Sequence, residues 1–152
     1  MSTFTAAADF KEALYNAAVT LWADTDVQVS YGHPGMSQSD DIVAVMDVRS
    51  GQNPATLSTN RTREEELRCT VMVSIYRGGG PEQEKVCTDR AYELLGALEN
   101  YVRTTDTTLG GVVRHCFLES HESDGSTDPN VLGGGRLIEV SAVFVAANRI
   151  TT

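Results

Sequence analysis

The chain has 152 residues, 12 Lys plus Arg against 21 Asp plus Glu, and a formal net charge of −9. That length suits one domain, spanning 1–152, whose core needs neither disulfide nor metal. A composition of 41% hydrophobic and 22% charged residues is globular, and a pI near 4.7 argues against a general nucleic-acid binder, which needs a basic face. The first expected element is a helix over Ala7–Ala23, because Phe10, Leu14, Ala17, Ala18 and Leu21 recur at helical spacing. Asp9 and Glu12 lie in its early turns, where the helix dipole favours negative charge. A short strand follows over Val27–Tyr31, then a turn at Gly32–His33–Pro34–Gly35.

Asp41–Arg49 reads as a strand with Ile42, Ala44, Met46 and Val48 on one face and Val43 and Val45 on the other, which suggests a central place in a sheet. Ser50–Glu65 is long and polar, with Leu57 its one large apolar residue, and is expected to be an extended hairpin arm. Leu67–Tyr76 is a period-two strand, with Leu67, Cys69, Val71, Val73 and Ile75 opposed to a wet face. Gly78–Gly79–Gly80–Pro81 opens a helix to about Arg103, since proline fits a first helical turn. Its apolar face carries Cys87, Ala91, Leu94, Leu95, Leu98, Tyr101 and Val102. Val112–His121 and Arg136–Ala147 are the last expected strands, separated by the polar loop Glu122–Gly135. Strands that cluster in hairpins predict an α+β domain: a mostly antiparallel sheet with both helices packed on one face.

The chemistry-bearing residues do not assemble into a familiar motif. Cys69, Cys87 and Cys116 are odd in number, widely spaced and set in apolar segments, so they read as buried thiols of a reducing compartment. His115, Glu119 and His121 fall on one face of an ideal strand, a set that suits zinc. The two histidines, however, stand about 20 Å apart along such a strand, beyond what one ion with ligands at about 2–2.3 Å can bridge. No metal, cofactor or catalytic residue is therefore expected. His115 and Cys116 are adjacent and point to opposite faces, which excludes a simple thiol–imidazole pair. The glycine runs Gly78–Gly80 and Gly133–Gly135 lack the Lys and Ser or Thr of a phosphate loop and read as turns. Trp22, at the end of the first helix, reads as packing. Arg61–Thr62–Arg63 before Glu64–Glu65–Glu66 is a charge dipole suited to registering an interface between copies. No apolar run approaches the roughly 18–20 residues of a membrane span, and Met1–Phe4 lacks the basic and apolar regions of a signal peptide.

The order of elements carries a resemblance. An amphipathic helix (Asp9–Ala23) leads to Val27–Tyr31, and a polar arm (Ser50–Glu65) precedes the strand ending Val71–Met72–Val73–Ser74–Ile75–Tyr76–Arg77. A Gly–Gly–Gly–Pro-led helix (Pro81–Arg103) and a last strand (Glu139–Val145) follow. This pattern resembles the tail terminator proteins of long-tailed bacteriophages, also described as minor tail or head–tail joining proteins. The resemblance implies a non-enzymatic virion protein of the tail or neck, assembled in the host cytoplasm. Its implied partners are its own copies in a hexameric ring, the tail tube protein and the head–tail connector, with DNA passing through the lumen and no membrane. Six copies of −9 sum to −54, and a negative lumen repels the DNA backbone and lets it slide. Arg49, Asn53, Leu57, Arg61, Arg63, Glu64 and Glu65 are the candidate subunit-interface residues on the arm. Another head–tail joining or tail-tube protein, a small cytoplasmic enzyme using the His115–His121 strand and a monomeric ligand-binding domain are the alternatives.

Overall fold

The computed structural model describes residues 4–36, 38–55, 62–129 and 133–151. Helix α1 spans Ala7–Leu21 and is followed by strands β1 (Gln28–Tyr31), β2 (Asp41–Pro54) and β3 (Arg63–Arg77). Helix α2 (Glu82–Asn100) runs on into a π-helical turn, Tyr101–Thr105, before β4 (His115–Ser123) and β5 (Arg136–Ile150). The five strands lie in the order β1-β2-β3-β5-β4. β1 pairs with β2 in parallel, and every other pairing is antiparallel. The domain is α+β, with both helices on one face of the sheet.

Alternation places the core. Leu67, Cys69, Val71, Val73 and Ile75 of β3 are buried on the helix side together with Ile138, Val140, Ala142, Phe144 and Ala146 of β5. Phe10, Leu14 and Ala17 of α1 and Cys87, Ala91, Leu94, Leu95 and Leu98 of α2 close this layer. The intervening strand residues face away from the helices and leave the second face of the sheet open. Near β1 that face is covered: His33, Pro34 and Gln38 of the β1–β2 connection lie over Ile42, Ala44 and Met72. Ile42 and Ala44 are consequently only 4% exposed, so the apolar residues on both faces of β2 reflect this cover, and β2 stands second from the sheet edge.

Two bulges depart from the expected alternation. In β2 the register with β3 shifts between Val45 and Val48, so Val48 lies opposite Cys69 and joins Val43 and Val45 on the helix side. An extra residue in one strand reverses the facing of everything beyond it. The second bulge lies between Leu118 and Ser120 of β4.

The expected polar arm is in large part sheet. Ser50–Pro54 continue β2 and pair with Leu67–Arg63, and Arg63–Glu66 are flanked on their other side by Ile150–Ala147 of β5. These polar residues form strands because each is paired within an existing ladder, which their composition alone does not reveal. Leu57 and Arg61 lie outside the described residues. The Gly133–Gly135 run has a packing role at its end: a Cβ on Gly135 would sit 2.5 Å from the Arg77 carbonyl oxygen at a φ of +155°.

Candidate functional site

The open sheet face and the end of the β2–β3 pair hold the expected interface residues. Arg49, Asn53 and Glu64 stand on the open face, because Asn53 pairs with Glu64 and Arg49 with Arg68, on the wet side of β3. Arg63 and Glu65 have the opposite parity and face the helix layer. Arg68 forks onto Glu119 through Nε at 2.8 Å and a second nitrogen at 3.0 Å, and also pairs with Glu66. Glu64 accepts a hydrogen bond from Arg114 at 2.5 Å, and its other oxygen forms a looser ion pair with Arg149 at 3.6 Å. Arg49 is exposed and makes no hydrogen bond or salt-bridge contact among the described residues, though its charge helps Arg68 hold the Glu119 carboxyl below its ordinary range.

Glu65 belongs to its own domain's interior and is only 2% exposed. One oxygen accepts the Ala6 N–H at 2.9 Å and the Asn148 amide at 3.3 Å. The other accepts the Thr5 hydroxyl, the Ser50 hydroxyl at 2.5 Å and the Gln52 amide at 3.3 Å. The bulge at Val45–Val48 makes this possible, since it turns Ser50 and Gln52 to the helix side. Helix α1 has no side-chain cap of its own at Ala6; a carboxylate from β3 takes that place, where helix N–H groups and dipole favour negative charge. Burial pushes the Glu65 carboxyl up, but the hydrogen bonds from Ser50, Thr5, Ala6 and Asn148 outweigh it and hold the group below its ordinary range. The sequence carried a signal for this position: counting back two residues from Leu67 puts Glu65 on the buried face of β3.

The His115, Glu119 and His121 set is divided by the β4 bulge. His115 pairs with Ala147 on the open face, where its ring lies 5.2 Å from that of Phe117. His121 pairs with Ala142, a helix-side residue, and meets Tyr92 of α2 edge-on at 5.3 Å. Glu119 is taken by Arg68. The three residues therefore do not share the strand face assumed from uninterrupted alternation. Among the described residues no group of three or more His, Cys, Asp or Glu is placed to hold a metal ion. Cys69, Cys87 and Cys116 are free and buried, and burial pushes the Cys69 and Cys116 thiols up to about 12. Neither supplies a thiolate nucleophile at neutral pH.

One charge cluster had no counterpart in the sequence reading. Asp41, 7% exposed at the start of β2, accepts Arg77 at 2.5 Å and Arg90 of α2 at 2.9 Å, and Arg90 also reaches Glu93. Burial raises the Asp41 carboxyl, and the two guanidinium partners outweigh that and lower it. These contacts clamp α2 to the sheet, a structural task. A cleft of about 450 Å³ lies between α1 and the turn after α2 and is lined by Asp9, Glu12, Tyr101, Asp106, Leu109 and Val112. It gathers acids with no cation among its lining residues. No protein-family model matches the chain, and no curated protein matches it significantly. Among the described residues, no helix is long and apolar enough to cross a membrane.

Proposed function

We propose that the protein is a structural subunit of a phage tail or neck, forming a hexameric ring that caps the tail tube and joins it to the head connector. The observation that supports this reading is the one-sided build of the domain. Two helices cover one face of a five-stranded sheet, while the other face carries a ladder of ion pairs and exposed Phe117, and among the described residues both outer strands are unpaired on their outward sides. Such a subunit has surface to offer to neighbours, and its polar side chains are engaged in holding the sheet together. The order of helix, strands and Gly–Pro-led second helix, with its likeness to tail terminators, supplies the particular assembly. The charge of −9 per copy suits a conduit through which DNA slides.

The test adds the purified chain to tail-tube subunits during polymerisation. Arrested tube growth with a ring on the tube end is the expected result, together with a light-scattering mass near six times the 16.4 kDa chain. Tubes of unchanged length, with the chain remaining monomeric beside them, would overturn the proposal.

A further inference from the structure

Both edges of the sheet expose strand backbone. β1 ends at Tyr31 opposite Val45, so Val48–Pro54 of β2 are paired on the β3 side only among the described residues. At the other end β4 is paired with β5 only among the described residues. Folded monomers commonly blunt such edges with bulges, short strands or a covering segment. Here the bulges lie just outside two regular stretches: before Val48 in β2 and after Leu118 in β4. Those stretches also stand at the same height. Gly51, Glu66, Ala147 and His115 form one row across the sheet, and Arg49, Arg68, Val145 and Phe117 form another.

Strand direction makes the two edges complementary. β2 and β5 run one way and β3 and β4 the other, so β2 and β4 are mutually antiparallel. A second copy turned about an axis along the strands therefore offers its β2 edge to β4 in the antiparallel sense that rules most of this sheet. With the rows kept level, Val48, Arg49, Ser50 and Gly51 of one copy meet Leu118, Phe117, Cys116 and His115 of the next. Face parity agrees at each pair: Val48 and Leu118 are helix-side, and Arg49 and Phe117 are on the open face. Arg49 is exposed and in salt-bridge contact with no carboxylate among the described residues, its charge felt only at a distance by Glu119 of its own chain, and Phe117 is a 47% exposed aromatic ring with the Arg68-held Glu119 close by on the same face. A guanidinium over an aromatic ring beside a carboxylate is a favourable match.

We propose that these edges anneal between copies, Val48–Gly51 of one chain against His115–Leu118 of the next, seating Arg49 on the neighbour's Phe117. The contact is head-to-tail, so it propagates from subunit to subunit until rotation closes it. It deepens the assembly reading above and rests on it for the closed ring.

Mixed cysteine cross-linking tests the contact. Arg49→Cys and Phe117→Cys chains, mixed and oxidised, should form a cross-linked heterodimer, while neither cross-links with itself. The double variant should give a ladder that ends in a closed species. Arg49→Glu should weaken self-association at least tenfold, with an unchanged circular dichroism spectrum showing that the fold is kept. Like-with-like cross-links, or none at concentrations where the chain is assembled or bound to tubes, would overturn the edge contact, as would a chain that stays monomeric under every condition. A ladder without any effect on tube growth would leave the edge contact standing and overturn tube capping. Capped tubes without cross-links would do the reverse.

Discussion

The two faces of the sheet are built from alternate residues of the same strands, yet they keep their charges in opposite ways. On the open face Glu64 and Glu66 pair with arginines whose side chains are partly in water, Arg114, Arg149 and Arg68. On the helix side Glu65, one residue away, has no arginine partner among the described residues and is held by hydroxyls, amides and a helix N-terminus. Exposed ion pairs contribute about 0–1 kcal/mol each, because water and salt screen them. A buried carboxylate with every lone pair engaged is a different object: removing it strands its donors, at about 1–3 kcal/mol for each one left buried and unsatisfied. Charge on this domain thus registers one face and fastens the other.

The comparison has a scale against which it is measured. Leu98→Ala, in the helix layer beneath the sheet, should lower unfolding free energy by about 2–5 kcal/mol in a denaturant titration. A loss below about 0.5 kcal/mol, typical of surface sites, would mean that the α2 face does not carry the core. Glu65→Ala comes next, with a loss of about 1–3 kcal/mol, and Glu65→Gln should lose less because an amide oxygen still accepts two of the donors.

Acid provides an independent reading of the same position. Glu65 and Asp41 are both held below their ordinary carboxyl range, so the folded state binds their protons less readily than the unfolded chain. Their stabilisation is complete above the unfolded carboxyl values near 4 and is lost as pH falls through the depressed folded values. Glu65→Gln and Asp41→Asn should each flatten the acid limb of a stability–pH curve; an unchanged limb would show that these carboxylates are not held as described. The smallest effect belongs to the open face. Glu119→Gln should cost less than either substitution at the buried carboxylates, because water screens its pair with Arg68, and the difference from wild type should fade in 1 M salt, where screening shortens to about 3 Å.

Periodicity made the fold class, both helices and the helix-side rows of β3 and β5 legible before any coordinates. Counting twos fails wherever a strand gains a residue. Val48 therefore changes sides, and His121 leaves the company of His115, because nothing in Met46–Asp47 or around Glu119 announces a bulge. Ser50–Pro54 and Arg63–Glu66 read as an arm because β propensity registers packing, and here the packing is non-local: Ser50–Pro54 lean on β3, which is itself flanked at Arg63–Glu66 by β5, more than 80 residues further along the chain. The interface set divides by plain alternation: Arg49, Asn53 and Glu64 face the open side, whereas Arg63 and Glu65 turn toward the helices.

The Glu65 knot also bears on how fast the domain comes apart. It joins Thr5, Ser50 and Asn148, so its hydrogen bonds span 60 residues toward one end of the chain and 83 toward the other. Contacts of such separation carry the largest loop-closure entropy, and they are made only once first, middle and last elements have met. An interaction formed after the rate-limiting barrier leaves the folding rate alone and acts on escape from the native state. Loss of the Glu65 carboxylate should therefore leave the refolding arm of a chevron where it is and lift the unfolding arm. That places Glu65 among the residues that set the lifetime of the native state: the bolt is thrown last and must be drawn first.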